Sequence, residues 1–301
     1  MAKKPIALTF IQKHPTTCPA CGEEFFREDM LTGRGRMIAG ELTAELRRLY
    51  EPSKKYGEIH PLIYPVTVCP HCLYASWKED FPKLPEQEKA GVQNNADNRR
   101  EWIENVIDDP VDFTKNRTLN EGLASYILCM SCYDYLDAEL SPIIKQGISS
   151  LRGAWVAVDL HRKNPTANYD WVAKMLYRKA RFFYLTAIAY ESSGEQSVVG
   201  CPNAGPDLDQ NYMFDGILYM YGYLEFRYGA VKDPAAREKN LQHARQTIAR
   251  IFGMGKASKH KPQALLNNAR NLHGEISTVL GIKKTGAYTD LDPGAYKVPG
   301  A

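Results

Sequence analysis

The chain reads as mainly α-helical: a small N-terminal zinc ribbon, β-rich with an inserted helix, followed by an α-helical tetratricopeptide-like domain. Three observations predict this. Two Cys-Pro-x-Cys knuckles, Cys18-Pro19-Ala20-Cys21 and Cys69-Pro70-His71-Cys72, lie in the first quarter of the sequence. From residue 85 onward apolar residues recur mostly at helical spacing. Small residues, Gly222, Gly229 and Ala244, fall where paired helices of a repeat would approach closely. The expected division is a ribbon over 1–84, a helical domain over 85–281 and an extended tail over 282–301.

The knuckles carry the strongest chemistry. Each Cys-x-x-Cys turn brings two sulfurs within reach of one metal, and two such turns complete a tetrahedral Zn²⁺ site. Proline presets φ for the turn, and Gly22 supplies a positive φ just after it. The expected ligands are Cys18, Cys21, Cys69 and Cys72. A redox pair normally stands singly in a βαβ setting, and structural disulfides need an oxidising compartment. Four thiolates also suit an iron–sulfur centre, but two symmetric proline-containing knuckles favour zinc.

Composition is that of an ordinary globular chain: 301 residues, 44% hydrophobic, 24% charged, net charge +3. No apolar run approaches transmembrane length, so no membrane insertion is expected. The start has too short an apolar segment for a signal peptide. Seven cysteines, six of them in Cys-x-x-Cys pairs, suit a reducing cytoplasm. Charge is uneven: residues 61–231 carry a net −6 and residues 232–284 a net +8. Those two regions could attract each other, or other copies of the chain.

In order, residues 6–11 read as a strand entering the first knuckle and 23–30 as the segment leaving it. Residues 37–50 read as the inserted helix, because Met37, Ile38, Leu42, Leu46 and Leu49 recur at helical spacing. Residues 62–68 lead as a strand into the second knuckle. Arg34, Arg36, Arg47, Arg48, Lys54 and Lys55 in the insert could touch phosphate. Interleaved acidic residues make a solvated face the plainer reading.

The run His60-Pro-Leu-Ile-Tyr-Pro-Val-Thr-Val-Cys-Pro-His-Cys-Leu-Tyr-Ala75, with Cys18-Pro-Ala-Cys-Gly22, resembles a bacterial family, domain of unknown function 2225. The clear resemblance covers residues 15–80; a looser one, around Leu151-Arg-Gly-Ala-Trp155, extends to about residue 280. The resemblance implies a two-knuckle zinc region joined to a helical region, with the metal on Cys18, Cys21, Cys69 and Cys72. It implies no established reaction. The family usually places Gly after the second knuckle, where this chain has Leu73.

Helices are expected over 86–107, 118–136, 141–162, 169–191, 209–228, 234–252 and 262–280. Ser141-Pro142 is a good start signal, and Asp108-Asp109-Pro110 a stop. The helices over 169–191 and 209–228 are apolar almost all round, which predicts central positions. Lys256, Lys259, His260 and Lys261 flank the last helix and offer an acidic partner a contact. The tail repeats Gly-Ala-Tyr at 286–288 and 294–296; with Tyr288, Leu291, Tyr296 and Val298 it reads as a docking strap or as a plain floppy end.

A third pair, Cys129 and Cys132, lies inside a helix and reads as buried thiols. His71, between two ligands, reads as solvent-facing. No P-loop, dinucleotide fingerprint or His-Glu-x-x-His occurs. The leading expectation is therefore a non-enzymatic cytoplasmic adaptor or structural protein that binds protein through its helical domain. The alternative is nucleic-acid binding through the ribbon and region 232–284. An enzyme with a site between the domains comes third.

Overall fold

Among the described residues, four antiparallel strand pairs, arranged as three hairpins, precede and brace a stack of helices. The computed structural model describes residues 7–198, 201, 204–252 and 260–282. Lys256, Lys259 and the expected strap over 285–301 lie outside the described residues.

Strand β1 (Thr9–Ile11) pairs with β4 (Glu28–Met30), and β2 (Thr16–Thr17) with β3 (Glu24–Phe25). Together they form one irregular hairpin with the first knuckle at its tip. Strands β7 (Val66–Val68) and β8 (Ala75–Trp77) form a second hairpin around the second knuckle.

The inserted helix over 37–50 is not there. Strands β5 (Ile38–Leu42) and β6 (Arg48–Glu51) form a hairpin instead. Its turn is closed by Thr43 N donating to the Arg47 carbonyl at 2.9 Å and Leu46 N to the Thr43 carbonyl at 3.0 Å. The helical spacing was misleading because the stripe is not a buried face. Met37 and Ile38 are exposed, while Leu46 is fully buried at the turn. Gly40 weakens any helix through the segment.

The expected helix over 86–107 is broken. A 3₁₀ turn leads into α1 (Lys89–Asn94), and α2 (Ala96–Val106) follows beyond Asn95. The Asn95 side chain donates to the Gly91 carbonyl and to Tyr135 Oη, both at 3.0 Å, which holds the bend. Helix α3 (Leu119–Cys132) starts at Thr118, which forms a capping box with Glu121. Then come α4 (Pro142–Lys163), α5 (Tyr169–Ser193), α6 (Met213–Tyr228), α7 (Pro234–Ala249) and α8 (Gln263–Val279). Sequential helices pack on one another from α3 to α8, and α6 also touches α8.

Of the two helices expected to be central, α6 is buried along most of its length and α5 is not. Helices α3 and α4 are buried along most of their length, whereas α5 buries only one face. Trp171 and Phe182 on α5 are 61% and 59% exposed. The central position of α4 is hidden in its sequence because many of its buried residues are polar. Gln146 donates to the Met130 carbonyl at 2.9 Å, and Arg152 to the Pro206 carbonyl at 2.9 Å and the Gly205 carbonyl at 3.1 Å. Lys145 is buried against Asp80, which also accepts from Tyr133 Oη at 2.8 Å. Such pairing makes a buried charge tolerable.

Buried apolar residues of the hairpins and the helices form one cluster. Hairpin β7–β8 packs on α3. Gly122 lets α3 approach the Ile63 backbone: a Cβ there would meet Ile63 Cγ2 at 2.5 Å.

Candidate metal centre

The two knuckles have the same local geometry. In the first, Cys18 N donates to the Glu23 carbonyl and Gly22 N to the Cys18 carbonyl, both at 2.9 Å. In the second, Cys69 N donates to the Tyr74 carbonyl at 2.9 Å and Leu73 N to the Cys69 carbonyl at 3.0 Å. Gly22 has φ +78° and Leu73 φ +58°. Leu73 therefore takes the left-handed conformation that glycine takes in the first knuckle. Its side chain is buried, which supplies a reason for leucine at a strained position.

The four sulfurs converge: the Sγ atoms of Cys18, Cys21, Cys69 and Cys72 all lie within 4.8 Å of one another. Cys18 and Cys72 are 3.6 Å apart, Cys21 and Cys69 3.7 Å. A tetrahedron with metal–sulfur bonds of about 2.3 Å has edges of about 3.8 Å. Cys18, Cys69 and Cys72 are buried and Cys21 is half-buried. His71 is exposed and stands outside the cluster.

The thiols cannot all ionise unaided. Hydrogen bonding with Cys69 pushes Cys18 up and hydrogen bonding with Cys18 pushes Cys72 up, with burial adding to both. Hydrogen bonds from Cys18 and Cys72 hold Cys69 down. A cation at the centre relieves this by favouring every thiolate at once. The donor set is four soft sulfurs with no other ligand type among them, the composition of a closed structural site.

Helices α1 and α2 hold both knuckles by their main chains. Gln93 donates to the Ala20 carbonyl. Arg99 Nη2 donates to the Cys72 carbonyl at 2.7 Å and the Val92 carbonyl at 2.6 Å, and Arg100 reaches the His71 carbonyl at 3.1 Å. Arg99 is buried, and its Nε and Nη1 find no hydrogen-bond partner among the described residues. A buried cation with spare donors beside a four-cysteine cluster fits an anionic metal–thiolate centre. Nothing in the sequence singled Arg99 out, since it lies in an Asn-Arg-Arg-Glu run that reads as a solvated face.

The other expected sites resolve more simply. Cys129 and Cys132 are fully buried, Cys129 beside Ser149 and Cys132 beside the Leu73 carbonyl, and burial pushes both thiols up. Arg36 donates to the carbonyls of Ala7, Thr32 and Gly33. Arg47 pairs with Asp159, and Arg48 with Asp209 at 3.0 Å. A cavity of about 440 Å³ lies where hairpin and helix residues meet, with Glu58, His60, Arg117 and Lys163 in its lining. There His60 sits 3.3 Å from Glu58 and 3.9 Å from Asp159, while Lys163 reaches Glu58 at 2.8 Å.

Residues 11–276 match the family described as an uncharacterized protein conserved in bacteria, DUF2225. A protein of Borreliella burgdorferi described as an uncharacterized protein is 38% identical over 270 residues, covering 90% of this chain and 96% of that one. No solved structure matches. No described helix is long and apolar enough to cross a membrane.

Proposed function

The chain belongs to the bacterial DUF2225 family, and on that premise we propose a zinc-organised adaptor that binds protein through its helices. The observation that carries the metal half is the sulfur geometry, whose 3.6 and 3.7 Å separations match the edge of a zinc–thiolate tetrahedron. When bound, the zinc supplies a cross-link between hairpins too small to bury cores of their own. Cys18 and Cys21 would hold it from one knuckle, Cys69 and Cys72 from the other. Cytoplasmic residence goes with this reading, because a reducing compartment keeps the thiols available to metal.

The partner half rests on α5. Trp171, Lys174, Arg178 and Phe182 are all exposed and recur at helical spacing, which sets them along one stripe. Aromatic and cationic side chains on a rigid helix are typical interface anchors, and the charge suits an acidic protein segment. We read the helices as tetratricopeptide-like hairpins. Gly222 supports this: a Cβ there would meet Ile248 Cδ1 at 2.4 Å, so α6 and α7 approach closely. Internal pairing withdraws Arg36, Arg47 and Arg48 from any phosphate surface, while Arg34, Lys54 and Lys55 stay exposed.

Elemental analysis of fresh protein is expected to give one zinc per chain. A photo-crosslinker at position 171 is expected to capture a partner in native cells, and Phe182→Ala to reduce the capture. Binding to random duplex DNA should be weak; tight binding with a steep salt dependence would instead favour the nucleic-acid reading.

A further inference from the structure

The tip of the β5–β6 hairpin is seated in a pocket built by distant helices. The Glu45 carboxylate accepts hydrogen bonds from Trp155 Nε1 on α4, from Tyr177 Oη on α5 at 2.8 Å, and from Tyr223 Oη on α6 at 3.3 Å. The neighbouring Ala44 carbonyl accepts from Tyr219 Oη at 2.5 Å. Tyr177 in turn stacks on Tyr228, with ring centroids 4.2 Å apart. Leu46 is fully buried beside Glu45, with φ +58°. A glycine or asparagine would fit that turn without strain, so leucine is there for its side chain.

Three features mark this contact as a docking event rather than a piece of the helical core. Helices α4 and α5, and α5 and α6, pack on each other directly, so the pocket's walls stand without the hairpin. Among the described residues, strands β5 and β6 hydrogen-bond as strands only to each other. Gly33, Gly35 and Gly57 flank the hairpin with positive φ. The tip is held by side chains: Glu45, Leu46, Arg47 on Asp159, and Arg48 on Asp209 with its amide on Asp207 at 2.6 Å. The carboxylate's donors are all neutral phenol and indole groups, and loss of water pushes the Glu45 pKa up against those hydrogen bonds. The seated state thus carries backbone strain and a desolvated carboxylate, both relieved on leaving.

We propose that this aromatic pocket is a binding site for a carboxylate-bearing turn of a protein partner, an acidic residue followed by leucine, and that the hairpin tip holds it shut by imitating that turn. The inference rests on the adaptor reading and adds to it a second contact with its own regulation. A partner presenting the same pair displaces the tip, and the adaptor engages only where such a turn is available.

The test uses a labelled cyclic peptide carrying residues 42–48, Leu-Thr-Ala-Glu-Leu-Arg-Arg, and the full chain. Fluorescence anisotropy is expected to show binding at least about tenfold tighter to the Glu45→Ala/Leu46→Gly/Arg47→Ser variant than to wild type. Replacing the peptide's glutamate by glutamine should weaken binding, and adding Tyr177→Phe to the variant should do the same. With the unaltered chain, saturating peptide is expected to speed hydrogen exchange at the amides of residues 43–47. Equal affinity for variant and wild type, or no change in exchange, overturns the proposal. So does release of the tip into a second copy of the chain, read as a dimer by sedimentation. Cross-linking at position 171 that persists alongside a failed peptide test leaves the adaptor reading standing and removes only this pocket.

Discussion

Leu73 allows a test in which the usual order of two substitutions is inverted. It is 7% exposed and holds φ +58° at the exit of the second knuckle. Leu73→Ala deletes a buried side chain and keeps the left-handed strain, a loss of about 3 kcal/mol. Leu73→Gly deletes the same side chain but relieves a strain of about 1 kcal/mol, for a net loss of about 2 kcal/mol. Glycine should therefore be the more stable of the two by about 1 kcal/mol, roughly 2 °C in Tm for a chain of this size. In a helix interior the order is the reverse, so Ala189→Gly on the exposed side of α5 serves as control and should lose about 1 kcal/mol. Urea unfolding of the zinc-loaded proteins measures all three. Leu73→Ala equal to or above Leu73→Gly would refute the claim that the second knuckle stores backbone strain in exchange for buried leucine.

Other consequences are measurable. Cys69→Ser should abolish stoichiometric zinc and open the knuckles to protease while most of the helical circular dichroism survives; full zinc retention by elemental analysis would exclude Cys69 as a ligand. Asp80 and Lys145 form a buried pair with side chains 4% and 3% exposed, so Asp80→Asn or Lys145→Met alone should cost about 3–5 kcal/mol. The double variant should cost less than the sum by at least about 2 kcal/mol; additive losses in urea titrations would show that the pair is not coupled. Burial holds the His60 pKa below its usual 6.5, so the unfolded chain takes up the proton first as pH falls. The contribution of His60 is then fully present above about pH 6.5 and is lost on acidification towards the folded pKa. His60→Asn should flatten the stability profile across that window, and an unchanged slope would contradict the assignment.

The sequence was most informative where chemistry and chain spacing coincide. The knuckles could be read because four cysteines at fixed intervals leave few alternatives, and the helix start at Pro142 because proline acts locally at the first helical position, although Ser141 before it makes no side-chain cap. It was least informative where a distant contact decides. The periodicity of Met37 to Leu49 belongs equally to a helix and to a hairpin whose turn is anchored by Trp155, Tyr177 and Tyr223. Helix α4 was underrated because Lys145, Gln146 and Arg152 look like surface residues until their partners, Asp80, Met130 and Pro206, are known. Trp171 and Phe182 misled in the opposite sense: large aromatics suggest a core, and here they face outward. Glu45 and Arg99 carried no signal, since one charged residue among many is marked only by what surrounds it.

The seating of Glu45 also bears on the order in which the protein is finished during synthesis. All four sulfurs of the proposed metal site are present once Cys72 has left the ribosome. The partners of the hairpin tip are not. Its hydrogen-bond donors arrive one at a time, at residues 155, 177 and 223. At about 5–20 residues per second, the interval between residue 52 and residue 223 lasts roughly ten to thirty seconds. Through that time Leu46 and Glu45 remain in water on a short hairpin while both knuckles beside them are already made. This early-made hairpin is therefore among the last parts to reach its final place, and its arrival reports that helix α6 has emerged and packed.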